Sequence, residues 1–189
     1  MARWLAAWFA MLGVGCTSYL GSARTFDPGW LAEPGWISAK VVTFIPQQEE
    51  MDCGAAAMAM VLRHWDSTTG IDDVRVSMKF DADRGANVGE MRAFAKSRGM
   101  EAFLIEGDFK VFEKELSRGR PVIVGMVKRH LHGFFTHYEV VVGYHPVRRL
   151  IVTLDPAAGW RVNGEEGFLE EWEPAKRLAL VIFRFRKEK

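Results

Sequence analysis

Residues 47–65 read Gln-Gln-Glu-Glu-Met-Asp-Cys-Gly-Ala-Ala-Ala-Met-Ala-Met-Val-Leu-Arg-His-Trp. From Cys53 onward small and apolar side chains follow one another without the polar face of a surface helix. A helix over Cys53–Trp65 is therefore buried almost all round and central to its domain. Asp52 stands just before it, with a side chain able to cap the first unpaired amides. Cys53 then sits beside the positive end of the helix dipole, where a thiolate is favoured. Gly54 and Ala55 are small enough for a substrate backbone to approach that sulfur. Taken alone, Cys53 reads equally well as one more small residue of a buried helix.

Upstream, Lys40–Ile45 is a short β-branched stretch stopped by Pro46, which predicts a strand or an extended lead-in. Downstream, Val88, Met91, Phe94 and Ala95 recur at helical spacing within Asn87–Arg98, and Gly99 ends that helix. Phe109–Arg118 repeats the pattern before Gly119, and Pro121–Val127 reads as a buried strand. Tyr138–Tyr144 and Leu150–Leu154 are strands joined across His145–Arg149. That is hairpin spacing, and it sets residues near 137 and 155 opposite each other at the open end. Leu178–Phe185 is a final apolar strand. Helices come first and sheet mostly after, an α+β order.

A reactive thiolate needs a base within hydrogen-bond reach and a group that fixes the base's tautomer. Histidines stand at 64, 130, 132, 137 and 145, and only His137 begins a strand opposite an acid across the hairpin. Asp155 can accept its imidazole N–H and stabilise the imidazolium. Asp155 with Pro156 also reads as a plain Asp-Pro turn. Gln47, six residues before Cys53, can join the Cys53 amide in an oxyanion hole, and Gln48 is its rival. His130 and His132 face one side if they lie on a strand. No third ligand accompanies them, so no metal site is expected there, only a loop bordering the cleft. Trp160 and Trp172 read as core or cleft wall.

Together these residues resemble the C39 peptidases, which cleave leader peptides after a double glycine. Gln47–Ala56 resembles their glutamine and cysteine box, His137–Tyr144 their histidine strand and Leu154–Ala157 their aspartate box. Gly89-Glu90-Met91 and Phe168–Trp172 extend the likeness over roughly residues 40–183. The resemblance implies a papain-like α+β fold with a central nucleophile helix packed on an antiparallel sheet. It implies a cysteine peptidase in which Cys53 is the nucleophile, His137 the base, Asp155 the orienting acid and Gln47 the oxyanion residue. It implies a peptide or protein substrate and no cofactor. Many members of that family are the N-terminal domain of a peptide-exporting ABC transporter. The 189 residues hold neither membrane spans nor a nucleotide-binding domain, so a stand-alone peptidase is expected. Papain's own local signature, with its second Cys and aromatic, is missing after Cys53. Two other readings share the residues: a peptide-binding module without turnover, and an acyl transferase or amidase using the same triad.

The start of the chain reads differently. Arg3 and the apolar run Trp4–Leu12 form a signal peptide, too short to span a membrane. The run ends in Leu-Gly-Val-Gly-Cys at 12–16, which resembles a bacterial lipobox with its leucine one residue early. Residues 1–16 are expected as a signal with Cys16 lipidated, 17–38 as a tether that packs its tryptophans, and 39–189 as the peptidase domain. Cleavage after Gly21-Ser22-Ala23 is the other route. Either sends the protein to the bacterial cell envelope, as a periplasmic or outer-membrane lipoprotein, or to secretion. With Cys16 lipidated, no disulfide is available and Cys53 is a lone thiol. The formal charge of +1, without basic runs, offers no footprint for nucleic acid.

Overall fold

The first helix, α1 (Cys53–Trp65), runs where the apolar stretch predicts it, and every residue from Cys53 to Leu62 is buried. A computed structural model describes residues 21–66, 68–78, 85–131 and 133–185. Around α1 stand α2 (Ile71–Ser77) and α3 (Val88–Ser97), with α4 (Phe109–Ser117) and α5 (Glu165–Trp172) beyond. Asn87 Oδ1 accepts from Gly89 N at 2.8 Å to open α3, and Asp108 Oδ1 accepts from Val111 N at 2.8 Å to open α4. Gly99 and Gly119, with φ of 74° and 72°, follow those two helices in the left-handed conformation that glycine adopts without strain.

Among the described residues eight strands make one antiparallel sheet: β1 (Arg24–Thr25), β2 (Ile37–Ser38), β3 (Glu101–Glu106), β4 (Val122–His130), β5 (Gly133–His145), β6 (Leu150–Asp155), β7 (Gly159–Gly164) and β8 (Leu178–Phe183). The order is β1-β7-β6-β5-β4-β8-β3, with β2 also on β5. This is the expected α+β arrangement of a buried helix on an antiparallel sheet. Phe112, Phe168 and Trp172 fill the core between α4 and α5, with the Phe112 and Trp172 rings stacked 4.9 Å apart.

The strand lengths on either side of β5 create the site. β4 pairs with β5 from Val122↔Val141 out to His130↔Gly133, whereas the β6 partners end at Val140↔Leu154 and Asp155 closes that strand. Past that point one side of β5 is unpaired with β6, and the loop before α1 comes in alongside. Gln47 N donates to Pro156 O at 3.0 Å and ties that loop to the turn after β6.

Several expectations need correcting. Of the two readings of Lys40–Ile45 the strand is not formed; the segment is an irregular lead-in that starts at Lys40 with φ of 60° and buries Val42 and Ile45. β5 begins at Gly133 rather than Tyr138, so His137 lies inside a strand and not at its start. The polar and aromatic residues 133–136 hid that extension, because they line a cleft instead of the core. β3, β7, α2 and α5 were not anticipated. β7 carries Arg161 and Asn163 between two glycines, and α2 is only seven residues long, so neither offers a clear periodic signal.

Of the segment expected as a tether, residues 21–38 supply β1 and β2 to the sheet, and Phe26 is buried. Trp36 packs edge-on to Phe26 and His145 at 5.5 and 5.2 Å, and Trp30 covers Phe26 while staying largely exposed. Cys16 and the signal-like run lie outside the described residues. No described helix is long and apolar enough to cross a membrane.

Candidate active site

Cys53 opens α1 and is buried at the floor of a cleft of about 600 Å³, lined also by Gln47, Met51, Ala86, Phe134 and His137. The expected cap by Asp52 is not made. Its carboxylate turns away instead, accepting from Glu49 N at 3.1 Å and facing Arg75 Nε at 3.4 Å. The competition is physical: Arg75 from α2 draws Asp52 and Glu49 to itself, the latter at 2.6 Å. The first turn of α1, which Cys53 opens, thereby keeps its dipole end uncapped by a carboxylate.

His137 and Asp155, 18 residues apart, meet across β5 and β6. His137 Nε2 lies 2.8 Å from Asp155 Oδ1, with both side chains at most 3% exposed. Asp155 Oδ1 also accepts from Ala157 N at 2.9 Å, so the Asp-Pro turn and the imidazole contact are one construction and not alternatives. Burial alone would lower the imidazole pKa. Hydrogen bonds to Asp155 and to Cys53, together with the charges of both, outweigh it and hold His137 up at about 10. Burial pushes the Asp155 carboxyl up, but the hydrogen bond and charge of His137, the Lys128 charge and the Ala157 amide bring it below the usual range. Beside them the Tyr138 phenol is pushed up to about 12, first by burial and then by the Cys53 charge.

Gln47 lines the cleft and Gln48 does not; Gln48 Oε1 takes Arg75 Nη1 at 3.3 Å. The Gln47 Nε2 group donates to the Glu49 and Glu50 carbonyls at 3.1 and 3.3 Å, so both its hydrogens are engaged within the loop. The other histidines do different work. His64 bridges the Val41 and Gly119 carbonyls, and His145 packs on Trp36. His130 ends β4 at the cleft, and its expected partner His132 lies outside the described residues.

Sequence reasoning missed the charges behind the site. Glu139 follows His137 by two residues, and one donor atom from each of His137, Glu139 and Asp155 lies within 4.8 Å of the others. Lys128 from β4 occupies that acidic corner, 2.5 Å from Glu139 and 2.7 Å from Glu171 of α5. A lysine directly after the apolar run Val122–Val127 and a glutamate directly before Val140–Val142 were the available signal.

A family model described as the Peptidase C39 family matches residues 41–183. The mesentericin-Y105 transport/processing ATP-binding protein MesD of Leuconostoc mesenteroides is 31% identical over 133 residues, 70% of this chain and 18% of that protein. The chain thus spans less than a fifth of the length of such curated relatives. Among solved structures, the peptidase domain of Streptococcus ComA, a bi-functional ABC transporter, superposes with a TM-score of 0.64 at 26% identity. That match covers 77% of this chain and 100% of that one. A double glycine motif protease from an AMS/PCAT transporter, solved with its leader peptide, gives 0.63 at 25% identity over 78% of this chain and 94% of that one. On its fold and over most of its sequence, the chain is a member of the peptidase C39 family of cysteine peptidases.

Proposed function

We propose that the chain hydrolyses peptide bonds with Cys53 as nucleophile, His137 as general acid and base, Asp155 as the group that orients His137, and Gln47 in the oxyanion hole. The reading is supported most by one buried line of contacts that opens on the cleft. Asp155 engages Nε2 of His137, and His137 in turn hydrogen-bonds Cys53, which leaves Nδ1 for the sulfur.

The Cys53 thiolate attacks the carbonyl carbon, a C–S bond forms, and the π pair moves onto oxygen. The Cys53 amide and one N–H of Gln47 hold that oxyanion, for which Gln47 gives up one of its two loop carbonyls. The C–N bond breaks as Nδ1–H protonates the departing amine. Water then gives its proton to Nδ1 and attacks the thioester, the C–S bond breaks, and the thiolate and imidazolium return.

The substrate class follows the relatives. They are processing proteins by name, and the neighbour solved with a leader peptide is a double glycine motif protease. We propose a peptide with a paired-glycine leader as substrate. We also propose that Cys16 is lipidated and that the domain works from the bacterial cell envelope. Ser22 Oγ donates to Asn163 Oδ1 at 2.9 Å, a contact that cleavage after Ala23 would delete.

The test is to incubate the full chain and Cys53→Ala with a peptide containing one Gly-Gly site, with and without an added amine acceptor. Cleavage after the second glycine by the wild type alone supports the reading. Product formed only with the acceptor identifies a transferase, and tight binding without product identifies a peptide-binding module.

A further inference from the structure

Lys128 is 2% exposed and charged, an arrangement stable only with close counter-charges. Residues opposite each other in a ladder share a face, and Met126 lies opposite His137 and Val124 opposite Glu139. Lys128 therefore projects from the same face of the sheet as His137 and Glu139. Its Nζ is 2.5 Å from Glu139 Oε1 and 2.7 Å from Glu171 Oε2. The charged groups converging here are Lys128 from β4, His137 and Glu139 from β5, Asp155 from β6 and Glu171 from α5, with Cys53 of α1 on the far side of the imidazole.

The consequence lies in the competition for His137. With donor atoms of His137, Glu139 and Asp155 all within 4.8 Å, the imidazole has a second buried carboxylate nearby besides Asp155. A ring that turned toward Glu139 would lose its alignment with Cys53. Lys128 takes Glu139 at closer range, and with it Glu171. Without that cation, three buried acids would share one imidazolium, and the cluster would take up a proton.

We propose that Lys128 is a positioning residue of the active site: its ammonium occupies Glu139 and Glu171 and so reserves Asp155 for His137. The inference rests on the Cys53, His137 and Asp155 reading above. It extends that reading from the residues that touch substrate to the charge that keeps them aligned.

The pH dependence of Cys53 alkylation by iodoacetamide in the full chain tests it without requiring turnover. Lys128→Gln keeps a hydrogen-bond donor and drops the charge. It is expected to move the acid limb of the profile up by about one pH unit or more and, in peptide cleavage, to lower kcat more than it raises KM. Lys128→Gln/Glu139→Gln removes the surplus carboxylate as well and is expected to return the limb to the wild-type position. A folded Lys128→Gln with the wild-type limb overturns the inference, as does a double variant displaced as far as the single one. If Lys128→Gln does not fold, the charge-balanced double variant decides: a wild-type limb supports the inference and a displaced limb overturns it. His137→Ala separates the two levels. If its profile equals the wild type's, the triad reading itself fails; if it differs while the Lys128 variants do not, only Lys128 loses its role.

Discussion

Asp155 closes β6 one residue past the last β5–β6 pair, Val140↔Leu154, and from there its carboxylate takes His137 Nε2 at 2.8 Å. The contact lies beyond the paired part of the ladder, and the turn that follows locks it, since Ala157 N donates to the same oxygen at 2.9 Å. An acid fixed in this way resists rotation, and its charge stays next to the imidazole.

Asp155→Asn keeps an acceptor for the imidazole and removes the charge. His137 is then expected to titrate well below its present value of about 10, moving toward the ordinary 6.5. The alkaline limb of kcat/KM should move down with it, and kcat should fall by roughly tenfold or more. An unchanged alkaline limb would show that Asp155 does not support the imidazolium.

The same shift makes stability depend on pH. His137 is protonated up to about 10 in the folded chain against an ordinary value of 6.5, so its contribution is complete below the lower value. It is lost as pH rises through the upper one. Urea unfolding is expected to show stability declining from neutral to alkaline pH, with a much smaller decline in His137→Gln. Equal declines in both proteins would assign the effect to other groups.

Gln47→Ala is expected to lower kcat by about 10²-fold with little change in KM, the pattern of a donor used only in the transition state. Gln48→Ala should leave kcat near wild type, because Gln48 faces Arg75 and not the cleft. Steady-state kinetics on a leader-type peptide decides between them, and the reverse ranking would assign the oxyanion role to Gln48.

Gly54 has no room for a side chain. A Cβ there would overlap the Ala86 methyl and stand 3.2 Å from Tyr138 Cδ2. Gly54→Ala therefore forces α1 away from the cleft wall, and a cost of about 1–3 kcal/mol in stability is expected along with reduced kcat/KM. Thermal unfolding and peptide kinetics check both, and wild-type values in each would contradict this packing.

Expressed in a bacterial host, the mature chain is expected to begin at a lipidated Cys16, read by intact-mass spectrometry. An N-terminus at Arg24 would refute the lipid anchor.

These expectations rest on a site that was partly legible in the sequence. The central helix is legible through local physics, because a run of small and apolar residues has to be buried, and Cys53 at its start becomes more than one small core residue only together with its small neighbours and the distant histidine and acid. His137 and Asp155 are legible as a pair because a short hairpin brings residues near 137 and 155 to the same open end, although the register of the ladder, which ends at Val140↔Leu154, keeps them from being direct cross-strand partners. Asp52 was misread for a tertiary reason: Arg75, 23 residues later, outcompetes the helix amides for its carboxylate. Lys128 stayed silent because its second partner, Glu171, is 43 residues away on a helix whose position depends on the whole sheet. The unanticipated β7 pairs with β6 along its whole length, and partnership rather than periodicity makes it a strand.

The most direct test of the account is the rate of Cys53 alkylation by an electrophilic peptide probe as a function of pH, in the wild type and in His137→Ala. Fast labelling that persists well below the ordinary thiol range in the wild type, and slows to that of a free thiol in His137→Ala, is the result expected from a thiolate paired with an imidazolium. Slow labelling with the same pH profile in both proteins would contradict it.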